Sequence, residues 1–140
     1  ETESNIRIDA DDPRVLLLPK DPDASARALR EGIAELGAIA PQVIINDSMG
    51  RAWRNGTVGL AIGTAGLAPL YNQIGEADMF GNKLEVTEPA VADELAAGAS
   101  LVMGQAAEAC PVILARGAGL KHSDSGSAGL LRDKSLDMFR

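Results

Sequence analysis

Apolar and polar positions change period several times along the chain. Residues 14–21, RVLLLPKD, are a short apolar run closed by Pro19 and predict a buried strand. Residues 23–37, DASARALREGIAELG, shift to a helical period. Leu29, Ile33 and Leu36 fall on one face, Arg27, Arg30 and Glu31 face water, Asp23 sits at the N-cap or first turn, and Gly37 is the stop. QVIIND (42–47) predicts the next strand, and the order strand, helix, strand predicts a βαβ crossover with parallel pairing. TVGLAIG (57–63) predicts a further strand, whose glycines signal a bulge or a close ligand approach.

Residues 64–83 lose periodicity and predict irregular structure with a short helical turn near Tyr71; loops of that length are more often functional than accidental. The clearest helix is expected over residues 87–108. Thr87 is its N-cap, Pro89 lies in its first turn, and Val91, Leu95, Gly98, Val102 and Met103 form one stripe flanked by Ala92, Ala96 and Ala99, small residues that imply close approach to another helix or sheet. PVILARG (111–117) predicts the last strand, LKHSDSGSAG (120–129) a polar flexible stretch, and LLRDKSLDMFR (130–140) a terminal segment docked by a few apolar residues. The expectation is an α/β chain of mixed α+β character, with a mostly parallel or mixed sheet and packed helices over residues 1–118 and a flexible tail over 119–140.

Composition narrows the partners. At 140 residues and 46% hydrophobic the chain can bury a core, and with 3% aromatics that core must be Val, Ile, Leu and Ala. A net charge of −7 argues against nucleic acid, whose binders carry a basic face. The lone Cys110 permits no intrachain disulfide and, before Pro111, reads as a small core hydrophobe; this suits a reducing, cytoplasmic compartment. We read no signal peptide and no membrane-crossing stretch. The text starts at Glu1 rather than Met, from which we expect the C-terminal part of a longer protein.

No P-loop, GxGxxG, HExxH or paired CxxC is present. DADDP (9–13) lacks the glycine and the terminal Glu of a calcium loop and reads as a turn, and His122 reads as a solvated imidazole. VIINDSMGRAWRNG (43–56) is more suggestive. Asp47 and Ser48 offer two hard oxygens at the expected end of a strand, which suits Mg²⁺ or Mn²⁺ holding phosphates, and Arg51 and Arg54 could clamp anionic oxygens; alternatively, Asp47 caps a turn and the arginines form surface ion pairs. In LVMGQAAE (101–108), Gln105 is either another hard oxygen ligand or part of a C-cap. Asp93 and Glu94 diverge by about 100° around a helix, so Asp93 is expected to serve an arginine or a backbone amide.

ESN (3–5), LLLPKDPDASA (16–26), NDSMGRAWRNGTVGLAIGTAGLAPL (46–70), GEADMFGNKLEVTEPAVADELAAGASLVMGQ (75–105) and PVILARG (111–117) together resemble the coenzyme F-420 gamma-glutamyl ligases. The resemblance implies GTP-dependent amide ligation: L-glutamate is joined through an acyl phosphate to the carboxylate of a deazaflavin precursor, then extended by gamma linkage. It also implies Mg²⁺ or Mn²⁺, with a monovalent cation as a further ion, and a homodimer. By position, Asp47, Ser48 and Gln105 match metal ligands, and Asn5 matches a nucleotide contact. Val102, Met103, Gly104, Gln105, Ala106, Ala107 and Glu108 fall on a nucleotide loop, and Arg51 and Arg54 match the motif's arginines. Thr2 stands where the family pattern has a further acidic ligand. The family's N-terminal half lies outside these residues, so the fragment alone is expected to be inactive. The alternative reading is a nucleotide- or deazaflavin-binding module without catalysis.

Overall fold

The structure, a computed structural model, describes residues 17–37 and 39–136. Residues 1–16 therefore fall outside it, and with them Thr2, Asn5, the expected turn over 9–13 and the start of the first expected strand. Its continuation, residues 17–21, forms no ladder.

Helix α1 is Pro22–Glu35. Its cap is Asp21, and Asp23, two residues on, lies in the first turn: the Asp21 carboxylate accepts from the Ala24 amide at 2.8 Å, and Pro22 also occupies the first turn, where its missing N–H costs nothing. Gly37, at φ 82°, takes the left-handed conformation that ends the helix.

Strand β1, Val43–Arg51, and strand β2, Arg54–Ala65, form one antiparallel hairpin. The mixed α+β character holds, but the expected βαβ crossover does not form among the described residues: 43–65 is a single folded-back ribbon. Its turn is Ala52 and Trp53, with Arg51 opposite Arg54 and Trp53 at φ 56°. Helix α1 forms where its period predicts, but Ala26 is its buried residue, whereas Leu29, Ile33 and Leu36 are exposed; Arg30, expected to face water, is half-buried with its Nε shielded from solvent. The crossover fails because β1 finds its partner directly downstream. A shift in register sets Ile45 against Gly63 and Asn46 against Ala61, leaving Ile62 as the extra residue of a bulge.

Helix α2 is Val91–Met103. It starts later than expected, with Ala90 rather than Thr87 at the cap and no side-chain cap bond, and Pro89 lies before it. Its buried positions are Ala92, Ala96 and Ser100, whereas Val102 of the expected stripe is exposed. The contact face is thus the small one. Gly59 explains why: a Cβ there would lie 2.5 Å from Ser100 Cβ and 2.6 Å from the Ala96 carbonyl oxygen. Gly63 meets α1 in the same way, 2.5 Å from the Pro22 backbone. At Gly59 and Gly63 the close approach is therefore that of the two helices.

A hairpin alone is marginal in water, and here both helices cover it, mainly through β2. Side chains fasten them. Asp93 accepts from the Ala61 amide at 2.9 Å, as expected for a backbone-binding carboxylate, and Asp23 accepts from Thr64 N at 2.7 Å and Ser127 N at 2.9 Å. The core holds Ala26, Ala65, Leu67, Ala92 and Ala96. Residues 66–90 are irregular apart from one bridge, Ala77 to Lys83, and Tyr71 begins no helical turn. Residues 111–117 are not a strand, since they join no ladder, and Cys110 is half-buried rather than in the core. The chain returns to the hairpin through polar bonds, Ser127 Oγ donating to Ile62 O at 3.1 Å, while Leu131 and Leu136 stay exposed.

Candidate functional site

Beside β1 lies a cleft of about 170 Å³, bordered by Asn46, Asp47 and Ser48 of the strand and by Ser100, Met103, Gly104 and Gln105 at the end of α2. Neighbouring strand residues point to opposite faces. Three in a row can border one cleft only if it crosses the strand edge. Two local features put it there. The bulge after Ile45 re-aims the strand just before Asn46. Gly104, at φ 74° and φ/ψ values closed to most side chains, ends α2 and turns the chain so that Gln105 comes back toward the helix.

The hydrogen bonds leave oxygens available. Asn46 Nδ2 donates to the Ala96 carbonyl at 3.2 Å and contacts Met103 Sδ at 3.8 Å, which pins the strand to α2 and frees its own carbonyl oxygen. Asp47 Oδ1 accepts from the Ser48 amide at 2.8 Å, leaving Oδ2 without a partner among the described residues. Gln105 Nε2 donates to Ser100 Oγ at 3.0 Å, and Gln105 Oε1 has no partner among the described residues. A carboxylate, a hydroxyl and amide carbonyls are the donors a hard cation prefers, and Mg²⁺ commonly takes only one or two protein carboxylates beside substrate phosphates. The donor set fits such an ion. It supplies a single carboxylate; no cluster of three or more His, Cys, Asp or Glu occurs among the described residues.

Sequence reasoning missed Asn46 and Ser100. Asn46 was visible as the neighbour of Asp47, but nothing in the sequence said that Ser100 would orient Gln105 from five residues away. The remaining candidates lie elsewhere. Arg51 and Arg54 face each other across the hairpin turn and do not border the cleft, nor does either have an acidic partner among the described residues. Of residues 102–108, Met103, Gly104 and Gln105 border it, and Val102, Ala106, Ala107 and Glu108 do not. Glu108 folds back so that its carboxylate accepts from Ala106 N at 2.8 Å; that amide, with its own, holds the carboxyl below the usual glutamate value. His122 lies mostly exposed with Nδ1 3.0 Å from Gly66 O. No helix among the described residues is long and apolar enough to cross a membrane.

The chain is similar to several characterised proteins. It is 48% identical over 140 residues to a coenzyme F420:L-glutamate ligase of Methanothermobacter thermautotrophicus, covering 99% of this chain and 54% of that one. It is 48% identical over 123 residues to the ligase of that name from Methanococcus maripaludis (88% of this chain, 50% of the relative), and 45% identical over 126 residues to that of Methanocaldococcus jannaschii (90% and 51%). The chain thus spans about half the length of the curated relatives it matches. The sequence profile of the F420-0:Gamma-glutamyl ligases matches residues 2–117, and the chain belongs to that family.

Proposed function

We propose that these residues carry the metal- and phosphate-handling part of a ligase that attaches L-glutamate, by an amide bond, to a coenzyme F420 precursor with GTP as the energy source. Its relatives are named for ligating L-glutamate to coenzyme F420. A carboxylate and an amine do not condense in water unaided, so the carboxylate must first be activated. Its oxygen attacks the terminal phosphorus of GTP, the bond to the bridging oxygen breaks, and GDP leaves with that electron pair. The glutamate amine then attacks the acyl carbon, loses a proton, and expels inorganic phosphate. Both steps depend mainly on positioning and on neutralising charge.

The observation that carries this reading is the meeting of Asp47, Ser48 and Gln105 at one cleft. Asp47 Oδ2, Ser48 Oγ and Gln105 Oε1 would hold Mg²⁺ or Mn²⁺, which when bound supplies positive charge for the phosphate oxygens. Ser100 fixes the Gln105 amide so that its oxygen stays presented. The residues after Gly104 would follow the nucleotide. Arg51 and Arg54, at the hairpin tip and away from the cleft, would bind an anionic part of a substrate rather than the ion itself.

The test is GTP turnover by an intact ligase that contains these residues. We expect GDP and phosphate to appear only when glutamate, precursor and divalent metal are all supplied, and Asp47→Asn to lower the rate by about 100-fold or more. Metal-independent turnover, or full activity in D47N, would reject the assignment.

A further inference from the structure

The two edges of the hairpin are treated differently. On β2, backbone groups that the ladder leaves over are taken up: Ala61 N by Asp93, Thr64 N by Asp23, and Ile62 O by Ser127 Oγ. On β1, the only further backbone bond among the described residues is Ser48 N to the side chain of its neighbour Asp47. Open edges of this kind are templates for another strand.

The open edge faces a cavity of about 770 Å³. Its walls are apolar: Leu29 and Ile33 of α1, Ile44 of β1, and Leu95 and Met103 of α2. Residues 111–115 and 117–120 also line it. Residues 111–117 have the composition of a strand and lack any backbone ladder, and Val112 is 79% exposed. Two strand-like segments, neither with a backbone partner on its facing side among the described residues, thus border one apolar slot. The slot shares Asn46 and Met103 with the candidate ion cleft.

We infer that this slot receives an apolar β-strand from the part of the ligase polypeptide that these 140 residues do not include. The relatives are about twice as long, so a ligase of their length has chain enough for such a segment. Main-chain bonds to β1 would satisfy its open edge, and alternate side chains would fill the space against Leu29, Ile33 and Leu95. Because the slot adjoins the cleft, the strand would end beside Asp47, where the donor set has one carboxylate. The inference stands on the open edge and the slot, and does not depend on which substrate the ligase takes.

Hydrogen exchange tests it, with the 140-residue chain compared to a chimera in which it replaces the matching stretch of the Methanothermobacter ligase. We expect the amides of residues 43–46 that point away from β2, and those of residues 112–115, to exchange quickly in the chain alone and to slow by about 100-fold or more in the chimera. In the chimera, one of Val112→Pro and Ile113→Pro should abolish that protection, since adjacent amides point opposite ways and proline removes one donor; V112A should keep it. Equal protection in both proteins would overturn the inference, because the chain's own residues or a second copy would then fill the slot. Protection unchanged by both prolines would overturn it as well.

Discussion

The two sides of the hairpin obey opposite packing rules. Where α1 and α2 meet β2, the contact is made by the smallest residues: Gly59, Gly63, Ala26, Ala92, Ala96 and Ser100. Across the molecule, most of the large apolar residues remain partly or largely exposed, Leu29, Leu114 and Val112 among them, and Leu67 is the one fully buried leucine among the described residues. A chain that buried its largest side chains first would look the other way round. Close approach of backbones gives many weak contacts and little apolar area, so the finished side of the molecule is defined more by shape than by hydrophobic burial. The open side holds the apolar area still to be buried, at roughly 25 cal/mol for each Å².

The sharpest way to break that comparison is to add bulk to the finished side. Gly59→Val would place carbon against Ala96 O and Ser100 Cβ, the first of which is backbone and cannot turn aside. We expect a loss of about 3 kcal/mol or more, seen as a lowered urea midpoint. A smaller loss, about 2 kcal/mol, is expected for Asp23→Ala, which strands the Thr64 and Ser127 amides. On the open side, Val112→Ser in the isolated chain should shift stability by less than about 0.5 kcal/mol. A loss there as large as that of G59V would show that the two sides are not distinct.

The same contrast explains what the sequence disclosed. Periodicity found both helices and the two apolar runs of the hairpin, because those signals are local. The stripe through Val91, Leu95 and Val102 is not the packed face of α2; Ala92 and Ala96, whose small size implied close approach to a helix or sheet, mark that face, and Gly59 of β2 is their counterpart. Periodicity also suggested parallel pairing. Alternation says which face is buried but not which neighbour a strand takes, and the two-residue turn at Ala52 and Trp53 carries none of the usual Asn-Gly signal. The strand expected over 111–117 illustrates a different limit. Its composition is right, but a ladder needs a partner, and no described segment supplies one. The cleft was legible in part. Asp47, Ser48 and Gln105 are chemically conspicuous, whereas Ser100 acts only through the way α2 ends.

The smallest expected effect sharpens the comparison at the border between the two sides, in the loop after Gly104. Glu108 is exposed, yet its carboxylate accepts from Ala106 N and its ionised form is favoured for that reason. Its folded value lies below the ordinary 4.5, so the stabilisation is complete above that value and is lost as pH falls through the lowered one. The Ala106 amide resonance should therefore titrate with a midpoint below 4.5 in the folded chain, and Glu108→Gln should remove that titration without altering the urea midpoint measurably. A midpoint at or above the ordinary value would mean that the loop does not hold the carboxylate folded back. The backbone that leads from Gln105 would then lack the anchor that keeps it turned toward the cleft.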